Sequence, residues 1–154
     1  MRYFAVAGRS ANTAATADHV AVQLWNPSAT RSVWVVEIHI QKSTTATLDN
    51  HGIAGTTARG ATPTTTVTPD LDNDFEWEVT PASACVLELA TFSSQPTLGT
   101  PYLYRGVLPA AIGSAVQYVF PGNGLKLKPA SGLAVATPVA VILMASDFTF
   151  VFHE

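Results

Sequence analysis

Trp34-Val35-Val36-Glu37-Ile38-His39-Ile40-Gln41-Lys42 is the stretch on which the rest of the chain is organised. Trp34, Val36, Ile38 and Ile40 occupy alternate positions, with Val35, Glu37, His39 and Gln41 between them. Successive side chains of a strand point to opposite faces, so this spacing predicts a β-strand with one fully apolar face and one mixed face. The β-branched and aromatic content agrees, as does the Ser/Thr cluster that follows Lys42. An apolar face of that size must be covered by a second sheet or by another copy of the chain. The stretch therefore predicts an all-β, antiparallel sandwich.

On its N-terminal side, His19–Trp25 also alternates, with Val20, Val22 and Leu24 on one face, and the turn signal Asn26-Pro27-Ser28 follows. So short a connection predicts that this strand and the central one are antiparallel neighbours. Arg2–Arg9 reads as a first strand, and the small polar residues of Ser10–Asp18 favour a loop over a short helix. On the C-terminal side, Ile53–Arg59 reads as a strand weakened by Gly55, and Gly60–Asp74 as a long Thr- and Pro-rich loop. Phe75–Val79 and Cys85–Thr91 read as strands, Ser93–Pro101 as a loop, and Tyr102–Leu108 as a strand with Tyr102 and Tyr104 on one face.

The last third is the most regular. Val116–Phe120 closes on Pro121-Gly122-Asn123-Gly124, whose Pro-Gly and Asn-Gly steps are turn signals. Leu125–Lys128 and Leu133–Ala136 follow, then the apolar Pro138–Met144 and the alternating Phe148-Thr149-Phe150-Val151-Phe152. About eight to ten short strands, with no helical period and no internal repeat, form one domain over residues 1–154.

Composition narrows the function. Hydrophobic residues make up 47% and charged residues 12%, against about 25% charged in an average globular protein. So little charge points to surface that is covered by partners. A net charge of -3 offers no basic footprint for nucleic acid. No run has the length of a membrane helix, and the N-terminus lacks the apolar region of a signal peptide, so folding in a cytoplasm is expected. The one cysteine, Cys85, sits in an apolar run and reads as a buried, inert thiol.

Candidate chemistry is sparse. Asp70, Asp72 and Asp74, with Asn73, place oxygens at alternate positions as a cation loop does, but lack its glycine and distant glutamate. Beside Pro69 they read as a solvated acidic turn, with cation binding as the alternative. His19, His39, His51 and His153 share no short spacing, so a zinc site would need the fold to gather them. There is no Gly-x-Ser-x-Gly, and Glu76 and Glu78 share one strand face instead of flanking a cleft, so no enzyme and no cofactor are expected. Trp34, Tyr102, Tyr104, Phe148, Phe150 and Phe152 are the candidates for a subunit interface. The alternatives are the core for the phenylalanines and a sugar-binding platform for Tyr102 and Tyr104 with Trp25 and Trp77.

The run Val119-Phe120-Pro121-Gly122-Asn123-Gly124-Leu125-Lys126-Leu127, then Gly132-Leu133-Ala134-Val135 and Phe150-Val151-Phe152-His153-Glu154, resembles small single jelly-roll proteins of tailed-bacteriophage virions. Tyr3-Phe4-Ala5-Val6 and Val20–Glu37 look like the opening strands of such proteins. The resemblance covers most of the chain as pattern. It implies a single jelly-roll domain and a non-enzymatic virion role, as a capsid decoration or cement protein that forms a homotrimer and contacts the major capsid protein. It implies no catalytic residue. The alternative it leaves is a carbohydrate-binding or adhesin module of a head fibre or tail.

Overall fold

The structure, a computed structural model, describes residues 3–11, 16–44, 48–67, 70–71, 83, 85–140 and 145–154. Among these residues every regular element is a strand: β1 (Tyr3–Ser10), β2 (His19–Asn26), β3 (Val33–Lys42), β4 (Asp49–Ala58), β5 (Ala61–Val67), β6 (Asp70–Leu71) and β7 (Val86–Ser94). Then come β8 (Thr97–Leu98), β9 (Tyr104–Leu108), β10 (Ala115–Val119), β11 (Leu125–Leu127), β12 (Ser131–Thr137) and β13 (Ser146–His153). They form two antiparallel sheets packed face to face. The six-stranded sheet runs β10-β3-β13-β1-β6, with β11 also on β3; the seven-stranded sheet runs β5-β7-β2-β12-β4-β8, with β9 also on β4.

The pairing is nested. β1 pairs with β13, β2 with β12, β3 with β10 and β11, β4 with β8 and β9, and β5 with β7. The chain is in effect one long hairpin wrapped on itself, with the first and third pairs in one sheet and the second and fourth in the other. β2 and β3 therefore lie in different sheets, and the antiparallel neighbours expected from their short connection do not form. That connection crosses the sandwich instead, so each strand can bury a face against the other sheet.

The central strand holds the largest departure from simple alternation. β13 pairs Val151 with Glu37 but Phe152 with Val35, so Val36 is an extra residue, a β-bulge. Inward-facing positions change parity across it: Val33 and Val35 are fully buried on one side, Ile38 and Ile40 on the other, while Trp34 and Val36 turn outward. The single apolar face of Trp34, Val36, Ile38 and Ile40 is thus split between both sides of the sheet. The cause lies across the ladder, where β10 ends at Val119 and β11 resumes at Leu125. The intervening Pro121–Gly124 turn sits against the bulge, with Gly122 and Gly124 at φ +67° and +89°. A Cβ on Gly124 would collide with the Val35 carbonyl oxygen, so only glycine lets the turn approach this closely.

The core fills the space between the sheets. Phe4, Val6, Phe148, Phe150, Phe152 and the inward residues of β3 meet Val22, Leu24, Ile53, Leu87, Leu133 and Val135. Each such side chain contributes about 1.5–3 kcal/mol by leaving water. At one end of this core Lys42 of β3 and Asp49 of β4 form an ion pair, Nζ to Oδ2 3.4 Å, with neither side chain exposed.

The seven-stranded sheet is covered on its outer face too. Val20, Phe92, Ala134 and Ala136 pack there with Leu98 and Tyr102, so β2 and β12 are buried almost throughout. The segment after β7 provides this cover. The Gln95 side-chain oxygen accepts from Val20 N at 2.8 Å, Gly99 N donates to Gly55 O at 2.7 Å, and Tyr102 lies over Gly52, where a Cβ would come within 2.5 Å of its ring. The expected loop Ser93–Pro101 is therefore a lid that includes β8. The expected Thr-rich loop Gly60–Asp74 instead contains β5, paired to β7, and β6, paired to β1. Threonine is a strand former, and the hairpin to β7 satisfies its backbone. Phe75–Val79 lies outside the described residues.

Candidate functional site

Phe148, Phe150 and Phe152 are 0% exposed. They alternate inward along β13 and belong to the core, so they leave the set of interface candidates. The reason is packing: three rings on a central strand fill the gap between the sheets better than any smaller residues.

Trp34 stays at the surface, in a row that crosses four strands. Tyr3 of β1 meets His153 of β13 edge-on at 5.3 Å between centroids; His153 stacks on Trp34 at 5.5 Å and 8°; Lys126 Nζ of β11 lies 5.6 Å from the indole centroid. The register makes this row, since Tyr3, His153, Trp34 and Lys126 are successive cross-strand partners. His153 Nε2 also donates to the Asn123 carbonyl at 3.1 Å. The imidazole and the ammonium both already engage the indole, and Trp34 is partly buried.

Tyr102 and Tyr104 part company. β9 begins only at Tyr104, and the residues before it bend away from the strand, so the expected shared face does not form. Tyr102 faces the outer side of the seven-stranded sheet. Its hydroxyl donates to Asp18 Oδ1 at 2.6 Å, and the Arg105 guanidinium lies 5.0 Å from its ring centroid. Burial and the Asp18 carboxylate push its pKa well above the usual tyrosine range. Tyr104 turns toward the gap between the sheets, 5.5 Å from the rings of both Tyr118 and Phe120.

The histidines are not gathered. His39 Nε2 donates to Glu37 Oε2 at 2.9 Å on the outer face of the six-stranded sheet, and His51 Nε2 lies 2.8 Å from the Tyr118 hydroxyl inside the sandwich. Burial lowers the His51 pKa from its ordinary value. Asp70 sits on β6 opposite Ala5, while Asp72, Asn73 and Asp74 lie outside the described residues, as do Glu76, Trp77 and Glu78. Among the described residues no three His, Cys, Asp or Glu side chains cluster as metal ligands. Cys85 is buried, and desolvation pushes its thiol up to about 12.

Two surfaces stand out. The first is the outer face of the six-stranded sheet, where each charge has a partner on its own chain. Arg9 grips Asp147 through two bonds, 2.7 and 2.9 Å, and holds that carboxyl below its usual range. Glu37 accepts from His39 and, at 3.1 Å, from Gln117 Nε2. Lys126 rests on Trp34. The second is a set of exposed apolar residues of which sequence reading singled out Tyr104 alone. Leu103, Tyr104, Val107, Ile112 and Val119 are exposed by 50, 40, 55, 63 and 61%. Tyr104 and Val107 lie on β9, Val119 on β10, and Leu103 and Ile112 in the adjoining loops, with β9 paired to β4 in one sheet and β10 to β3 in the other. Alternation alone cannot tell which apolar face of an edge strand looks outward, so its pattern carried no signal.

A third feature is buried and polar. Glu88 of β7 is fully buried, ion-paired to the half-exposed Arg59, and its Oε2 has no hydrogen-bond partner among the described residues. Its cross-strand neighbour Gln23 donates to Thr56 Oγ1 at 2.5 Å and leaves its own Oε1 without a partner. Burial raises the Glu88 pKa.

These features define a class: an antiparallel β-sandwich whose surface devices are apolar and charge-compensated. No protein-family model, no curated protein and no solved structure matches the chain. Among the described residues no helix is long and apolar enough to cross a membrane.

Proposed function

We propose that the chain is a non-enzymatic structural protein of a virion, a capsid decoration protein that acts as a homotrimer and contacts the major capsid protein. The nested strand order supports reading the sandwich as a jelly roll, an architecture that recurs in viral capsid proteins and lectins. The observation that carries the proposal is the exposed apolar edge from Leu103 to Val119 on a chain with so few charges. A single small domain that presents such an edge is stabilised when the edge is covered, and closed rotational symmetry covers it with copies of the same chain. The compensated face of the six-stranded sheet suits the same purpose, since it can be desolvated without stranding a charge.

The test is the solution mass of the purified chain by light scattering, followed by its addition to virion shells. Three times the 16.2 kDa chain mass, and co-sedimentation with shells, would support the proposal. A monodisperse single chain at micromolar concentration that ignores shells would overturn it. The carbohydrate-binding alternative has less support, because Trp34 is engaged by His153 and Lys126 and Tyr102 by Arg105.

A further inference from the structure

We infer that two polar bridges beside β9 and β10, Tyr118–His51 and Lys42–Asp49, clasp the two sheets together, and that this side of the sandwich opens locally when His51 takes a proton. Such a clasp is independent of assembly, since every group in it belongs to one chain.

The bridges run from sheet to sheet. Tyr118 of β10 and Lys42 of β3 belong to the six-stranded sheet, His51 and Asp49 of β4 to the seven-stranded one. His51 Nε2 lies 2.8 Å from the Tyr118 hydroxyl, and Lys42 Nζ lies 3.4 Å from Asp49 Oδ2. Asp49 and His51 are two residues apart on one strand, so both side chains point into the same interior. His51 is 1% exposed and Asp49 0%. β9 is shaped around the first bridge. Gly106 is the cross-strand partner of His51, and a Cβ there would come within 2.6 Å of the Tyr118 hydroxyl and 2.7 Å of His51 Nε2. On the same side Tyr104 of β9 leans on Tyr118, with ring centroids 5.5 Å apart.

The groups around His51 decide what a proton does there. β10 presents the Tyr118 hydroxyl and β9 the backbone at Gly106, while Arg105 beside that glycine is turned away onto Tyr102. β4 supplies the Asp49 carboxylate two residues along, and β3 the Lys42 ammonium paired with it. The carboxylate is thus already matched by a cation, and an imidazolium at His51 would be a buried charge with no offset of its own. A neutral imidazole can accept the Tyr118 hydroxyl proton at Nε2. An imidazolium carries a proton on both nitrogens, so that bond must reverse and the hydroxyl proton turn elsewhere. Burial accordingly lowers the His51 pKa, although the nearby Asp49 works in the other direction. Opening this side lets water reach the ring and restores an ordinary pKa of about 6.5. The proton then favours the open form as pH falls below that value. The Lys42–Asp49 bridge contains no histidine, so it holds while the other parts and keeps the opening local.

The experiment follows amide hydrogen exchange of the full chain at about pH 7.5 and about pH 5, on either side of the ordinary histidine pKa, with rates corrected for the intrinsic effect of pH. Low denaturant separates local opening, which exposes little surface, from global unfolding, which exposes much. The β9 and β10 amides are expected to open locally, and about tenfold more at the lower pH; the ceiling is about thirtyfold, set by an opened histidine of ordinary pKa. The β13 amides are expected to exchange through global unfolding alone. His51→Gln should remove the acid response of β9 and β10. Tyr118→Phe, which deletes the bond but keeps the ring, should raise their opening at the higher pH and shrink the acid response. If His51→Gln does not fold, Tyr118→Phe decides alone. The clasp is overturned by β9 and β10 amides that exchange only together with β13, or by a wild type with no acid response. An acid response that survives His51→Gln, or a Tyr118→Phe chain that behaves as wild type at both pH values, overturns it equally.

Discussion

Replacing Lys42 with Met removes one half of the ion pair with Asp49 while keeping most of the side-chain volume. At 3.4 Å, with the effective dielectric of about 20 that suits such sites, the Coulomb attraction is about 5 kcal/mol. Bringing two ions out of water costs several kcal/mol each, so the intact pair contributes little net stability. The single variant is different. It keeps the cost of burying the Asp49 carboxylate and loses the charge that offsets it. Lys42 Nζ also lies 3.5 Å from the Pro109 carbonyl oxygen, so that contact goes too. The expected loss is about 3–5 kcal/mol, or roughly 6–20 °C in Tm at this chain length. The assay is chemical denaturation and calorimetry at one fixed protein concentration, so that association does not enter the comparison. Lys42→Met/Asp49→Leu should recover most of the loss, because an apolar pair of similar volume suits a dry site. A Lys42→Met protein within about 1 kcal/mol of wild type would refute the reasoning and mean that water reaches the pair.

Four other outcomes are expected. His51 has its pKa lowered by burial, so the unfolded chain binds the proton more tightly; stability should fall as pH drops through the ordinary histidine range, and His51→Gln should flatten that fall. Glu88 is raised by burial, so the folded chain binds its proton more tightly; here stability should rise as pH drops toward the ordinary carboxylate range, and Glu88→Gln should remove that rise. Denaturation midpoints between pH 4 and 8, on the order of the window these side chains titrate in, separate the two signs. Gly124→Ala forces a side chain into the Val35 carbonyl at φ +89° and should cost roughly 1–3 kcal/mol by denaturant titration. Cys85, buried and with its thiol pushed up to about 12, should resist a disulfide reagent at pH 8 until the chain is unfolded, when about one equivalent reacts.

The all-β sandwich was legible because its signals are local: alternation in β1, β3 and β13, and the Pro-Gly and Asn-Gly steps between β10 and β11. What was not legible depends on contacts distant in sequence. The bulge at Val36 answers a turn more than eighty residues away and reverses the apparent faces of the central strand. Alternation continues through Val36 in the sequence while the backbone skips a position, so Trp34 reads as core but faces outward beside His153. The β2–β3 connection reads as a hairpin because loop length does not say which sheet receives the next strand. Thr and Pro in β5 read as loop because its partner is not the next strand in the chain but β7, which comes after β6. Nor does anything in Lys42 or Asp49 announce a buried pair, since each reads as a strand-end charge.

Composition gives the chain few charges, and their placement leaves fewer still free at the surface. Lys42, Asp49 and Glu88 are buried inside the chain, so they contribute nothing to solvation of the outside. Arg9, Asp147 and Glu37 are at the surface but bound to neighbours on one sheet face. The charge left to keep the molecule apart from its copies is smaller than composition alone implies. Beside β9 and β10, Arg105 already engages its own Tyr102, and Glu37 already accepts from Gln117 and His39. Exposed apolar side chains beside an edge strand with so little free charge are the kind of surface that other molecules cover, and the assembly proposed above draws on them.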